Sequence, residues 1–156
     1  MILFFQRENT LVKGLSELTF KDVSDDPWDK NNLTKTKLNY SLESIGLIDE
    51  YIIRIKETVL VEQYLNTLAS RIGAYIGEII RRNLKNDYNW YNFFTVERLI
   101  KSTEPLNDYI HIQQVIYSKK HKKSILPMYE TYNFLTGNSR YLSLKNYVEE
   151  MIRSNI

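Results

Sequence analysis

The sequence predicts an α+β domain in which N-terminal helices, one of them long and glycine-bearing, lead into a small antiparallel sheet of two or three strands followed by C-terminal helices. Three observations carry this. Through residues 41–84 apolar side chains recur every three to four positions, the period of a helix with one buried face. Residues 88–117 then become aromatic and β-branched, with stretches of alternation, which is strand character. From Pro127 helical spacing returns. Helices, then strands, then helices, is the segregated order of an α+β fold.

Leu11, Leu15 and Leu18 are helically spaced within residues 2–20 and predict a first helix, with Gly14 as its weak point. Residues 22–36 are polar and contain Asp25-Asp26-Pro27, so they read as a loop, with Trp28 folded back on the core. Ser41 or Ser44 can cap a second helix, whose buried face is Leu42, Ile45, Ile48, Ile52 and Ile55. After a break at residues 56–58, a long helix spans 59–84, with Leu65, Leu68, Ile72, Ile76, Ile79 and Ile80 on one side. Residues 83–87 stop it. Residues 88–96 read as a strand, 98–102 as its continuation or an edge, and 104–108 as a turn. Residues 109–117 alternate, with Ile110, Ile112 and Ile116 on one face and His111, Gln113 and Val115 on the other. Residues 119–123 are a basic connector. Pro127 suits the first turn of a helix that Gly137 ends. Ser143 can cap a last helix to Ile152.

Bulk composition narrows the function classes. A chain of 156 residues, 43% hydrophobic and 26% charged, fits one globular domain over residues 1–156. The formal net charge of +2 is too small to imply nucleic acid or an anionic membrane by itself. With no Cys, disulfides, thiolate metal sites and cysteine nucleophiles are excluded. The opening Met1-Ile2-Leu3-Phe4-Phe5 is too short for a signal-peptide core, and no window reaches the ~20 apolar residues of a bilayer span. The cytoplasm is the expected compartment. Twelve tyrosines, alongside many Asn, Lys and Ile, fit an AT-rich coding sequence and lower the weight of any one tyrosine.

The long helix breaks a local rule. Glycine within a helix costs about 1 kcal/mol relative to alanine, yet Gly73 and Gly77 sit four apart in it. With Ala69 they form a stripe of small residues, because positions four apart lie about 40° apart around the axis. Such a stripe lets a neighbouring backbone come close. It is no phosphate loop, since that cradle needs glycines ahead of a helix rather than inside it. The opposite flank carries Arg71, Tyr75, Glu78 and Arg82. Glu78 and Arg82 make an i, i+4 surface pair on the plain reading. On the functional reading they line a cleft beside the sheet with Tyr75, as a ligand or partner site. No second acid or nucleophile is placed there by the sequence, so no catalytic residue is assigned.

Other constellations are weaker. Lys119, Lys120, Lys122 and Lys123 are candidate anion contacts, and aromatics at Tyr88, Trp90, Tyr91, Phe93 and Phe94 would complete a nucleic-acid surface if exposed. His111 and His121 make a poor metal pair. The acidic run Asp22, Asp25, Asp26, Asp29 lacks the glycine and terminal glutamate of a calcium loop and reads as solvated. No metal and no cofactor is expected. No Gly-x-Ser-x-Gly elbow, dinucleotide fingerprint or Walker loop is present in the sequence.

The run Gly73-Ala74-Tyr75-Ile76-Gly77-Glu78-Ile79-Ile80-Arg81-Arg82-Asn83, followed by Trp90 and preceded by Tyr40-Ser41-Leu42-Glu43-Ser44-Ile45, resembles small uncharacterised bacterial domains. In these a helix reading Gly-x-Tyr-x-Gly-Glu-x-x-Arg-Arg precedes a short antiparallel sheet with a Trp at its start. The likeness covers about a third of the chain, residues 40–90. It implies a fold type and a bacterial or mobile-element origin, and no activity.

The expected function is a non-enzymatic protein–protein interaction module of a regulatory or immunity type, partnered by another protein or by a second copy as a homodimer. The alternatives are a ligand-binding protein or enzyme using a Glu78/Arg82/Tyr75 cleft, and nucleic-acid binding through residues 119–123. No membrane partner is expected.

Overall fold

The long helix at Val59–Leu84 is the element on which the rest is assembled. The computed structural model describes residues 6–23, 26–84, 87–100 and 114–156, without the side chains of Leu99 and Ile100. In chain order the elements are α1 (Asn9–Lys21), α2 (Pro27–Asn32), α3 (Ile45–Ile55), α4 (Val59–Leu84), β1 (Tyr88–Asn92), α5 (Phe93–Ile100), β2 (Gln114–Ser118), β3 (Lys123–Ile125), α6 (Pro127–Leu135) and α7 (Leu144–Asn155). The fold is α+β, as its sequence predicts. Among the described residues no helix is long and apolar enough to cross a membrane.

Helix α4 touches α6, α1, α7, α3 and β1. Its two parts behave differently. Non-helical backbone at Tyr64 divides it. Ahead of that point and for a turn beyond, most residues are at least partly exposed, whereas residues 72–80 are buried without interruption. The stripe explains why neighbours come so near. A Cβ on Gly73 would stand 2.5 Å from Met128 Cα, and one on Gly77 would stand 2.4 Å from the Trp90 ring. The close approach expected of the stripe is therefore real: the backbone of α6 crosses at Gly73, and the ring of the sheet's tryptophan lies against Gly77.

The sheet has the order β1-β2-β3 and is antiparallel throughout. Trp90 faces Ile116 across β1 and β2, and Ile116 faces Ile125 across β2 and β3. Its boundaries differ from those the sequence predicts. The strand expected over 88–96 ends at Asn92, and residues 93–100, which include the start of the expected 98–102 edge, form helix α5. The Asn92 side chain accepts the N–H of Phe94 at 3.0 Å, which starts a helix in the manner of an asparagine cap. Phe93 and Val96, both buried, then share its inner face.

Strand β2 begins at Gln114; the rest of the segment expected at 109–117, including His111, lies outside the described residues. The alternation expected there is not seen from 114 to 118. All five residues are buried, because α5 and α6 both pack on this strand. Strand β3 is not predicted by the sequence. It comes directly after the basic connector, whose turn is made by Lys122 in the left-handed region (φ 51°).

Three further corrections concern the first third. The first helix is Asn9–Lys21 rather than starting near residue 2, with residues 1–5 outside the described set. The expected loop 22–36 contains α2, which Asp26 caps through the N–H of Trp28 (2.8 Å) with Pro27 in its first turn. An Asp-Pro pair is a helix start that can be read from sequence. Nor is the acidic run simply solvated: Asp29 is buried, and with Asp26 it pairs with Arg54. Trp28 does fold back. Its ring stacks on Tyr51 at 6.0 Å with the Arg54 guanidinium 5.0 Å away.

The C-terminal elements agree with expectation. Gly137, at φ 78°, ends α6, with Asn138 N–H on Asn133 O (2.7 Å) and Gly137 N–H on Phe134 O (3.3 Å), the paired bonds of a Schellman turn. Ser143 caps α7 through the N–H of Asn146, and Asp49 adds bonds to the N–H groups of Leu144 and Lys145.

Candidate functional site

The polar flank of α4 does not face an open cleft as a unit. Helix α1 and residues 38–44 lie across it. Thr19 donates to the Arg71 carbonyl at 3.2 Å, and Tyr40 N–H donates to the Tyr75 hydroxyl at 3.0 Å. Asn9 of α1 accepts the Trp90 N–H at 2.8 Å, which ties α1 to the first strand.

Glu78 is fully buried. Its Oε2 accepts Arg81 Nε at 2.7 Å and the Trp90 indole N–H at 2.9 Å, while Oε1 takes Arg81 at 3.2 Å. Arg82, the partner expected from spacing, reaches it only at 3.4 Å. Arg81 wins because it is one residue nearer and its fork spans both oxygens, the geometry that makes Arg–carboxylate pairs strong. A carboxylate with donors from three residues in a site closed to water is held in place rather than offered to a substrate.

Tyr75 is buried too, and its proton is committed. The Ser44 hydroxyl donates to Ser41 O (2.6 Å), so the contact between Ser44 and Tyr75 (2.7 Å) must be donated by the tyrosine. Burial is the main cause that holds the Tyr75 hydroxyl above the ordinary phenol range, against the lowering effect of Ser44 and the Tyr40 N–H. This use of Ser44 also changes the cap expected for α3. Ser44 caps nothing with its side chain; Ser41 Oγ instead accepts the Ser44 N–H at 3.2 Å, in a tight entry turn.

Tyr40 enters the site although the sequence marks it only as the start of the run that carries the resemblance. Its backbone sits at φ 63°, an outlier for a bulky side chain, with a cost on the order of 1–3 kcal/mol. Three contacts hold it there: its N–H on Tyr75, its ring stacked on Tyr75 at 4.7 Å, and its hydroxyl on buried Ser16 at 2.8 Å. Ser16 in turn donates to Lys13 O, so Tyr40 is the donor in that last bond. Over the Tyr40 ring lies the Arg82 guanidinium, 4.0 Å from its centroid. No local signal announces a positive φ at a tyrosine; a Tyr leading into Ser-x-x-Ser hints only at a turn.

The four predicted residues therefore separate. Tyr75 and Glu78 are internal. Arg71 pairs with Asp22 at 2.8 Å and lines an open groove with Val23, Tyr51, Leu60, Tyr64 and Leu68, of about 1060 Å³. Arg82 lines a second depression, of about 760 Å³, with Lys13, Glu17, Lys35, Asn39 and Tyr40. The two openings lie on opposite sides of α1: Lys13 and Glu17 share one side of that helix, and Leu18, Thr19 and Asp22, which border the Arg71 side, the other.

The basic connector is a β2–β3 turn with Lys119, Lys120, Lys122 and Lys123 all exposed. Asp87 anchors its base by accepting Ser118 Oγ and the Lys120 N–H, and the first of these is the main cause that keeps its carboxyl below the usual range. The neighbouring aromatics face inward: Tyr88, Trp90, Tyr91 and Phe93 are buried, and Phe94 alone of these five is exposed. The lysines thus lack the open stacking platform that single-stranded nucleic acid uses. Among the described residues, no three His, Asp or Glu side chains come together to hold a metal ion.

Comparison with protein-family models, curated proteins and solved structures returned no match.

Proposed function

We propose that this protein is a non-enzymatic interaction module that binds an amphipathic segment of a protein partner in the groove between α3 and the exposed part of α4. A bacterial, cytoplasmic setting and a regulatory or immunity-type role accompany this reading and rest on the sequence. The observation that supports it is the composition of the groove: Tyr51, Leu60, Tyr64 and Leu68 form the apolar bed, and the Arg71–Asp22 pair stands at its side. Tyr and Arg are the residue types most enriched where interfaces concentrate binding energy. Tyr64 is half exposed and sits where α4 departs from helical geometry. The enzyme alternative draws less support, because Tyr75 and Glu78 spend their polar atoms on neighbours within the fold.

Sedimentation velocity across a range of concentrations, on the protein and on Leu68→Glu, examines the homodimer form of this reading. A photo-crosslinking residue at position 64, introduced in the native host, examines the heterologous form. One of the two should give a discrete species that Leu68→Glu removes. A monomer at every concentration, together with no discrete crosslink, would sink it.

A further inference from the structure

The depression beside Arg82 is built from three separate parts of the chain, and each contributes a cation. Lys13 comes from α1, Lys35 from the segment after α2, and Arg82 from the last turn of α4. Sequence spacing shows no relation among them; the fold brings them to one wall. The acidic residue of the lining, Glu17, is already bridged to Lys21 across one turn of α1. Lys21 is the leading cause that holds the Glu17 carboxyl below its ordinary range, and the charges of Lys13 and Lys35 act in the same direction. Among the described residues neither Lys13 nor Lys35 forms an ion pair of its own.

Arg82 differs from a surface arginine in being held. Its guanidinium lies over the Tyr40 ring, 4.0 Å from the centroid, and the unusual backbone of Tyr40 is locked by Tyr75 and Ser16. Among the described residues its carboxylate contact is to Glu78, and it is long at 3.4 Å, with Arg81 bonded more closely to both oxygens of that group. A guanidinium has five donors in a planar fork, and among the described residues most of those on Arg82 have no partner. A positioned fork in a depression that Lys13 and Lys35 also line matches a multiply charged oxyanion, since a single carboxylate would leave most of that charge uncompensated.

We propose that the Lys13/Lys35/Arg82 depression is a binding site for the phosphoryl group of a small soluble phosphate compound, with Tyr40 as the platform that orients Arg82. It is separate from the Arg71 groove and does not depend on the partner-binding reading. Recognition is by charge and bidentate hydrogen bonding. Base stacking plays no part, because Tyr40 carries Arg82 on its ring and is itself stacked on Tyr75.

The test is calorimetric titration with inorganic pyrophosphate at constant ionic strength, with acetate as the monoanionic control. The expected result is saturable 1:1 binding of pyrophosphate that acetate does not reproduce. Arg82→Gln is expected to weaken it by about tenfold or more, as loss of one charged hydrogen-bonding partner implies. Because Arg82 also packs on Tyr40, the exposed pair Lys13→Gln/Lys35→Gln supplies a second variant that leaves the interior untouched; it must lose affinity to a similar degree. Lys120→Gln, in the β2–β3 turn and outside the lining of the depression, must not. Absence of saturable binding overturns the proposal, as does binding indifferent to the Lys13/Lys35 pair or lost equally with Lys120→Gln. Co-sedimentation with phosphatidylcholine vesicles containing phosphatidic acid separates the two sources of a phosphoryl group. Capture by vesicles without binding of free pyrophosphate would place the site on a membrane and overturn a soluble ligand.

Discussion

The two flanks of α4 sit on one helix, yet they carry different kinds of information. On one flank Ala69, Gly73 and Gly77 are small, and what they report is local and steric: the absence of a side chain means that another chain segment comes close. That inference holds, since α6 and Trp90 lie where a Cβ would be. On the other flank Arg71, Tyr75, Glu78 and Arg82 are large and polar, and the same helical arithmetic puts them side by side. Their chemistry depends on what covers them. The Tyr40 turn lies against Tyr75 and the Trp90 indole against Glu78, so the middle of the row is buried and its two ends are left in separate openings. Steric signals survive translation into three dimensions. Polar ones are rewritten by burial.

Measurements can break or sharpen this contrast. The largest effect is expected from Glu78→Ala, which leaves Arg81 and the Trp90 indole without their acceptor. Breaking a buried pair costs about 3 kcal/mol or more, read as a lower midpoint of chemical denaturation. Glu78→Gln retains an acceptor for the indole and should lose less. If Glu78→Ala cost under ~1 kcal/mol, as surface changes do, the burial account of this flank would be wrong.

On the opposite flank, Gly73→Ala and Gly77→Ala should each destabilise by roughly 1–3 kcal/mol, the usual penalty of overpacking, despite the gain in helix propensity. The obstructing atoms are the Met128 backbone and the Trp90 ring, neither of which is a flexible chain end. Two stabilising outcomes would mean that the stripe is not a contact.

Tyr75→Phe removes one hydroxyl and leaves the Tyr40 N–H and Ser44 to find other partners. A cost of about 1 kcal/mol is expected, together with greater hydrogen exchange at Tyr40. Unchanged exchange there would show that the Tyr40 conformation does not rely on this bond.

Gly14→Ala supplies the converse of the stripe. A Cβ at Gly14 meets no atom within 4 Å, so thermal unfolding should shift upward by the ~0.5–1 kcal/mol that alanine contributes in a helix. A loss of stability would show that open space at a helical glycine does not distinguish the two cases.

The smallest effect concerns Glu130, whose buried Oε2 has no hydrogen-bond partner among the described residues. Burial is the main cause that raises its carboxyl above the ordinary range, opposed by Ser139 and Arg140. A raised pKa means that the folded state favours the protonated form. Its contribution is complete at low pH, below the unfolded carboxyl's pKa, and is lost as pH rises through the folded value. Glu130→Gln should therefore raise the melting temperature at pH 7, by less than ~1 kcal/mol, with the difference closing in acid. A difference that grows in acid would reverse the sign and refute the argument.

Much of the fold is legible in the sequence for identifiable reasons. The bounds of α4 come from apolar period and a polar stop at its end, and the starts of α6 and α7 from Pro127 and Ser143. Helix α5 reads as strand because Phe93, Phe94 and Val96 favour a strand by type, while the cap that starts a helix there is one Asn92 side chain. Strand β3 leaves no signal because three residues cannot show a period; its partner β2 defines it. Of the candidate site, Arg82 and Arg71 stand out from helical spacing, but nothing in the sequence groups Tyr40, Lys13 and Lys35 with them. These come from α1, a turn and the end of α4, with Lys35 and Arg82 lying 22 and 69 positions beyond Lys13.

What the sequence by itself determined is the class of fold, the central helix and the side of it that must be approached closely. These rest on periodicity and excluded volume, which act between near neighbours in the chain. Only the tertiary structure decided which charges are internal and which are available, because the state of a carboxylate or guanidinium depends on water and partners supplied from distant segments. Glu78 and Arg82 are four residues apart, yet Glu78 is an interior group that takes the Trp90 indole from β1, while Arg82 lies over Tyr40 at the wall of an open site.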